Sequence, residues 1–122
     1  MKTPKLRKIT LKSGTIVLAG KDAKSNEELI KQVEPNEEVF HTATTGSPFV
    51  NIKSKPKFGD VKKAATICAR YSQDWRDNKS DVFVHRFKGK NIYKGKKMKT
   101  GTFGVRKFKV IKIKKRAIER WQ

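Results

Sequence analysis

The sequence predicts an α+β fold, in which a mostly antiparallel β-sheet packs with one long helix and one short helix. Short β-prone runs follow one another without regular alternation of strand and helix, which argues against a doubly wound parallel sheet. Helical apolar spacing occurs at about residues 60–75 and, more briefly, at about 26–33. The length of 122 residues fits one domain, residues 1–122, that can bury a core without disulfides.

The first half of the chain predicts a hairpin, the short helix and two further strands. Residues 7–12 and 15–19 are β-prone, and Ser13-Gly14 between them predicts a two-residue turn. Ser25 and Glu28 fit a capping box at the start of the short helix, which Pro35 ends. Residues 38–42 and 49–52 predict strands, and a basic loop follows at 53–57.

The long helix is the clearest element, and Asp60 is its predicted N-cap. Residues 82–87 then predict a buried strand. Apolar and basic residues alternate with one slip from 105 to 114, which predicts a strand with one buried and one basic face; the alternative is a disordered basic tail. Residues 115–122 predict either a frayed basic C-terminal end or a short helix.

The charge predicts a polyanionic partner, with nucleic acid first and an anionic membrane second. The chain has 31 basic and 11 acidic residues, a formal net charge of +20. Residues 86–122 hold 15 Lys or Arg and one acid, whereas residues 22–38 are mainly acidic. We therefore expect the C-terminal third to face the polyanion. A membrane is the weaker choice because no basic amphipathic helix with a large apolar face occurs.

Other function classes have little support in the sequence. There is no long apolar run, and the basic start lacks the apolar segment of a secretory signal, so a cytoplasmic protein is expected. His41 and His85 lack partners at metal-ligand spacing, and Cys68 on the apolar helix face is expected to be buried and inert. The glycines form no phosphate-binding loop. We predict no catalytic residue, no metal and no cofactor.

Several short motifs together carry a resemblance to a known family. Gly20 to Ala23, followed by Asn26-Glu27, is similar to a G-R-D-A-x-x-N-E motif with Lys21 in place of arginine. Residues 37–41 are similar to a D-x-aromatic-x-H strand ending at His41, although Glu37 and Val39 depart from that pattern. Further matches are Gly14, Gly46-Ser47, Ala64-Ala65, Tyr71-Ser72 with Trp75, and residues 99–103. Over about residues 6–115 the chain resembles the NFACT RNA-binding domain, NFACT-R, of ribosome-associated quality control proteins.

The resemblance implies a non-enzymatic RNA-binding module in translation, ribosome quality control or tRNA processing. The implied partner is tRNA or ribosomal RNA, with the large ribosomal subunit as a candidate platform and separate chains supplying the other NFACT-type domains. Lysines would contact phosphates, and arginines would contact phosphates or stack on bases. His41 would donate to a phosphate or 2′-hydroxyl, or else be a structural histidine. The predicted RNA contacts are Lys21, His41, Lys53, Lys55, Lys57, Arg70, Arg76, Arg86, Lys88, Lys90, Lys94, Lys96, Lys97, Lys99, Arg106 and Lys107.

Two alternatives stay open at this point. An RNA-processing or RNA-modifying enzyme, or its essential subunit, would use His41 with carboxylates drawn from Glu37, Glu38, Asp60 and Asp81. A generic DNA-compacting protein would need only the charge. Trp75, Tyr93 and Trp121 are candidates for stacking on bases, while a core role is expected for Tyr71, Trp75, Phe83, Phe87 and Phe103.

Overall fold

A six-stranded antiparallel sheet organises the residues that the computed structural model describes, 6–121. Residues 1–5 and 122 lie outside this range. The ends of the predicted domain and of the predicted C-terminal segment fall on these residues and therefore also lie outside it. The strands are β1 Arg7–Thr10, β2 Ile16–Ala19, β3 Glu38–Thr42, β4 Val50–Ile52, β5 Val82–Lys88, β6 Ile92–Tyr93, β7 Gly104–Val105 and β8 Lys109–Ile113. The strand order in the sheet is β1-β2-β4-β3-β5-β8, and a separate ribbon pairs β6 with β7. This arrangement confirms the α+β class.

Four α-helices of residues 6–121 flank the sheet, and apolar cores lie on both of its faces. They are α1 Ala23–Lys31, α2 Asp60–Arg70, α3 Gln73–Asn78 and α4 Lys115–Arg120. The larger core joins α2, α3 and α4 to one face through residues such as Ile67, Trp75 and Ile118. The smaller core joins α1 and the segment around β7 to the other face through Leu29, Phe87 and Phe103. With a core on each face, β3 and β4 are buried along almost their whole length, and this burial includes the polar Glu38, Thr42 and Asn51.

The short helix begins earlier than predicted. Its N-cap is Asp22, whose carboxylate accepts a hydrogen bond from Ser25 N–H, while the Ser25 hydroxyl accepts one from Asp22 N–H. The reciprocal capping box therefore exists three residues upstream of the predicted Ser25–Glu28 pair. An aspartate at the N-cap leaves the helix at Ala23–Lys31 rather than at 26–33.

The predicted long helix is two helices. Ser72 interrupts it, because its hydroxyl donates to Ala69 O and accepts from Trp75 N–H, so that Ser72 caps α3. Asp60 is not the N-cap of α2. Gly59 occupies that position, and Asp60 is buried with its carboxylate turned to other partners. The apolar spacing continues unbroken across Ser72, which is why it predicts one helix.

Smaller differences between the predicted and the observed elements concern the turns and the last strand. The first hairpin has a three-residue loop, since Leu11 N–H donates to Thr15 O and Gly14 N–H to Leu11 O. The predicted 105–114 strand is β7 and β8 separated by a bend, with Val110 on β8 exposed. Residues 94–102 form turns held by Lys94, whose ammonium donates to Lys99 O and Thr102 O. No helix in 6–121 has the length and apolarity to cross a membrane.

Candidate nucleic-acid interface

A cleft of about 880 Å³ opens where four segments meet. Its walls are the β2–α1 connection with the first turn of α1 (20–26), the end of β3 with the loop 43–49, the end of α2 with α3 (70–79), and residues 100–105. Gln73 N–H donates to Gly46 O at 2.7 Å, which fixes the loop against α3. Glu27 accepts from Gly101 N–H at 2.7 Å, which fixes the fourth wall against α1. The cleft is therefore built by hydrogen bonds between segments far apart in sequence.

Five cations line the cleft, namely Arg7, Lys21, Arg70, Arg76 and Lys79. None of them forms an ion pair with a carboxylate within residues 6–121. Their charge is thus available to an anionic ligand. The one carboxylate in the described lining, Asp22, is occupied as the helix cap, and these hydrogen bonds lower its pKa.

Arginine and aromatic groups are stacked at one wall. The Arg7 guanidinium lies 4.1 Å from the centre of the Tyr71 ring, and the Arg70 guanidinium lies 5.9 Å from it. Arg7 also donates to Gly20 O at 3.1 Å, so its orientation is fixed. Lys79 lies 5.0 Å above the Trp75 ring. Planar guanidinium groups held in this way suit contacts to phosphate or to the face of a base.

His41 lies in the cleft as a neutral side chain. Burial lowers its pKa below the ordinary value of 6.5, and the cross-strand neighbour His85 lowers it further, although the hydrogen bond to Thr42 O opposes both. Nδ1 lies 2.8 Å from that carbonyl oxygen, so Nδ1 carries the proton. Nε2 is then an acceptor, which can receive a 2′-hydroxyl but cannot donate to phosphate.

This assignment predicts a specific histidine tautomer. Nitrogen NMR at pH 7 should show His41 protonated at Nδ1, with titration below the ordinary pKa of 6.5. His85, half-buried and stacked on Phe108 at 4.0 Å, provides an internal comparison. Protonation at Nε2, or a pKa of His41 above 6.5, would contradict the assignment.

The structure places the sixteen predicted contacts in different environments. The cleft brings together Lys21, His41, Arg70 and Arg76. Four others are ion-paired: Lys53 with Glu37, Arg86 and Lys88 with Glu38, and Lys94 with Glu27. Arg106 lies 4.8 Å from the Tyr93 ring. Exposed residues outside the cleft lining are Lys55, Lys57, Lys90, Lys96, Lys97, Lys99 and Lys107.

Several residues of the cleft are missed by sequence reasoning. Tyr71 is expected in the core but is 37% exposed, because the helix ends just before it. Phe83 is likewise exposed, whereas Trp75 and Phe87 are buried as expected. Trp121, a stacking candidate, packs against the larger core. The Tyr71-Ser72 motif is the one sequence feature that could have indicated a role for Tyr71. No motif marks Arg7 or Lys79 as cleft residues.

The geometry gives no support to the RNA-processing alternative. Glu37 and Glu38 are ion-paired, Asp81 lies 3.6 Å from Lys112, and Asp60 accepts from Ser13 and Thr15. None of these four lines the cleft with His41 as far as the described residues show. No group of three or more potential metal ligands occurs in 6–121. Cys68 is buried, as expected, and burial raises its pKa to about 12, which disfavours the reactive thiolate at neutral pH.

Comparison with known proteins gives matches of three kinds, to a family model, to a curated protein and to a solved structure. Residues 5–107 match the sequence model of the NFACT protein RNA binding domain. The archaeal Rqc2 homolog aRqcH of Methanocaldococcus jannaschii is 32% identical over 107 residues, covering 81% of this chain and 16% of that protein. The C-terminal part of the fibronectin/fibrinogen-binding protein from Streptococcus suis superposes with a TM-score of 0.82 at 25% identity, covering 93% of this chain and 47% of that one. The chain thus spans only a small part of the archaeal relative.

Proposed function

The chain belongs to the family of NFACT RNA-binding domains, and from this premise we propose that it binds tRNA or ribosomal RNA through a basic face centred on the cleft. The observation that carries the proposal is the set of five cations in the cleft that have no carboxylate partner among residues 6–121. RNA phosphates would supply those partners, and release of their counterions would favour binding.

The contacts divide by chemistry. Lys21, Arg76 and Lys79 would bind phosphates, and the stacked Arg7 and Arg70 would bind phosphate or a base face. His41 would accept from a 2′-hydroxyl, a group that duplex DNA lacks. The exposed cations outside the cleft would extend the basic face: Lys55, Lys57, Lys90, Lys96, Lys97, Lys99, Arg106 and Lys107. Lys53, Arg86, Lys88 and Lys94 would add less, because glutamates already neutralise them.

The archaeal relative supports a proposal for the cellular setting. Its name places that protein with Rqc2, and the resemblance implies ribosome quality control. We extend to this chain a cytoplasmic role on the large ribosomal subunit, without catalysis of its own. Because the chain spans 16% of that relative, other NFACT-type domains would come from separate chains or from further sequence.

The test is binding of the pure protein to tRNA, to large ribosomal subunits and to duplex DNA of matched length, each at 50 and 200 mM salt. We expect preference for tRNA or for subunits that survives the higher salt, because a shaped cleft and a 2′-hydroxyl acceptor add to charge. Equal binding to all three that disappears at 200 mM salt would mean charge attraction alone. That result would favour DNA compaction over the proposal.

A charge-matched pair of variants tests the cleft. Arg70→Ala with Arg76→Ala should weaken RNA binding about ten-fold and reduce the slope of log affinity against log salt by roughly 1 to 2, since Arg76 loses a phosphate contact and Arg70 loses a contact to phosphate or to a base. The control, Lys8→Ala with Lys109→Ala, removes two exposed cations that lie outside the cleft lining and have no ion pair among residues 6–121, and it should change affinity less than about two-fold. Equal losses in both variants would show that net charge, not the cleft, determines binding.

A further inference from the structure

A tight turn before α2 exposes one phenylalanine completely. Asp60 N–H donates to Lys57 O at 3.0 Å, closing a four-residue turn with Phe58 and Gly59 at its centre. Gly59 has φ +84° and ψ −13°, the geometry of the third position of a type II turn, which favours glycine. Phe58 occupies the corner and is fully exposed, the most exposed large apolar side chain of residues 6–121.

Asp60 holds this turn in place. Its carboxylate, only 1% exposed, accepts hydrogen bonds from Lys57 N–H at 2.8 Å, Ser13 Oγ at 2.7 Å and Thr15 Oγ1 at 2.5 Å. The Lys57 ammonium donates to Ser13 O at 2.8 Å. The turn is therefore fixed to the β1–β2 loop. An aromatic ring on an ordered turn loses less entropy on binding than one on a mobile loop.

The surroundings of Phe58 are strongly basic. The two joined loops and the first turn of α2 carry five exposed lysines: Lys12, Lys55, Lys57, Lys62 and Lys63. None of them pairs with a carboxylate in the part of the chain that the structure describes. The nearby acid, Asp60, is buried. An anionic partner that also presents a flat apolar surface fits this site, which is the chemistry of an unpaired base between phosphates.

We propose that Phe58 stacks on an unpaired base of the bound RNA while Lys55 and Lys57 contact the adjoining phosphates. The inference rests on the proposed RNA-binding function and adds a second contact with a preference for unpaired bases. The turn and the cleft lie at opposite ends of α2, about 15 Å apart along its axis. Lys62, Lys63 and Arg70 are exposed along that helix. One RNA lying along α2 would therefore reach both sites.

The test uses two RNAs of equal charge: a hairpin with 2-aminopurine at one loop position and a fully paired duplex. With the wild-type protein, stacking should quench the loop fluorescence. Phe58→Ala should weaken hairpin binding about ten-fold, within the range for one base–aromatic stack, and duplex binding less than about two-fold. Phe58→Trp should retain hairpin affinity and quenching, whereas Phe58→Leu, apolar but without a ring face, should resemble Phe58→Ala.

Each outcome decides the proposal. Thermal unfolding of Phe58→Ala should match the wild type, because the fully exposed side chain adds little to the folded state. Unchanged hairpin binding by Phe58→Ala would overturn stacking while leaving RNA binding intact, and would point to a protein partner for the turn. Wild-type affinity in Phe58→Leu would also overturn it. Failure of the wild-type protein to bind either RNA would instead defeat the proposed function itself.

Discussion

Replacing Asp60 with alanine is expected to lower the free energy of unfolding at pH 7 by about 3 kcal/mol, measured by urea denaturation. The carboxylate accepts from two hydroxyls and one backbone N–H and is almost fully buried. Hydrogen bonds to a charged group are worth about 1.5–3 kcal/mol each, and removing the acceptor leaves buried donors unsatisfied. The variant should also lose the fixed position of Phe58, so RNA binding should weaken even below the unfolding temperature.

The same residue should make stability depend on pH. Burial raises the pKa of the Asp60 carboxyl, but the hydrogen bonds from Thr15, Ser13 and Lys57 N–H together lower it below its ordinary value of 3.8. A lowered pKa in the folded state means that the stabilisation is complete above about pH 5 and is lost as pH falls through the folded pKa. Wild-type stability should therefore fall on acidification, and Asp60→Ala should fall less steeply.

Asp77→Ala is the matched control, because Asp77 is an exposed aspartate on α3. It should change the free energy of unfolding by less than about 0.5 kcal/mol. Thr15→Val should be intermediate, since it removes one donor to Asp60. If Asp60→Ala unfolds at the same urea concentration as Asp77→Ala, the buried hydrogen bonds contribute nothing and the account of the turn is wrong.

Asp60 also shows where sequence reasoning stops. An aspartate before an apolar helix predicts an N-cap, because local hydrogen bonding favours that position. Here its main partners, Ser13 and Thr15, lie 47 and 45 residues away, and only the fold brings them close. Ser72 shows the opposite error, in which a local hydrogen bond is overlooked. The residue is small enough to continue the apolar face of a single predicted helix, yet its hydroxyl donates to Ala69 O after α2 and caps the start of α3.

The sequence predicts the chemistry of the candidate site but not the full set of residues that line it. Composition predicts a polyanion, and the motifs predict Lys21 and His41, which lie in the cleft. A sequence gives the number of charges but not which of them form ion pairs. It therefore cannot distinguish Arg70, which lines the cleft, from Arg86, whose guanidinium donates to both carboxylate oxygens of Glu38. Phe58 has neither a helical nor a strand pattern around it, so periodicity gives no reason to single it out.

Gly20→Ala is the second large effect we expect, a loss of about 3 kcal/mol and a fall of roughly 10 °C in the unfolding temperature. A methyl group at Gly20 would overlap Asn26 Oδ1 and crowd the Asn26 backbone. Asn26 cannot simply move aside, because its Oδ1 accepts from Phe49 N–H at 3.0 Å and its Nδ2 donates to Ser47 O at 3.5 Å. The variant must give up these buried hydrogen bonds or accept the overlap.

This contact explains the motif that runs from Gly20 to Glu27. Gly20 makes room for Asn26, Asp22 and Ser25 cap α1, Asn26 anchors the start of β4, and Glu27 binds Gly101 N–H. The Asn26 and Glu27 contacts tie this wall of the cleft to the loop 43–49 and to residues 100–105, whereas the Gly20 and Asp22–Ser25 contacts fix the wall itself. The motif therefore serves mainly to fix the shape of the cleft. Its exposed cation in the cleft lining is Lys21.

Gly95→Ala separates this effect from the general cost of replacing a glycine. A methyl group there would meet Met98 at 3.6 Å, an ordinary contact, so we expect a change of less than about 0.5 kcal/mol in thermal and urea unfolding. Gly20→Ala should also weaken RNA binding at temperatures where it is still folded, because the walls at Ser47 and Gly101 lose their common anchor. Full RNA affinity in a destabilised Gly20→Ala would place the RNA contacts outside the cleft, and wild-type stability would mean that Asn26 is not held as described.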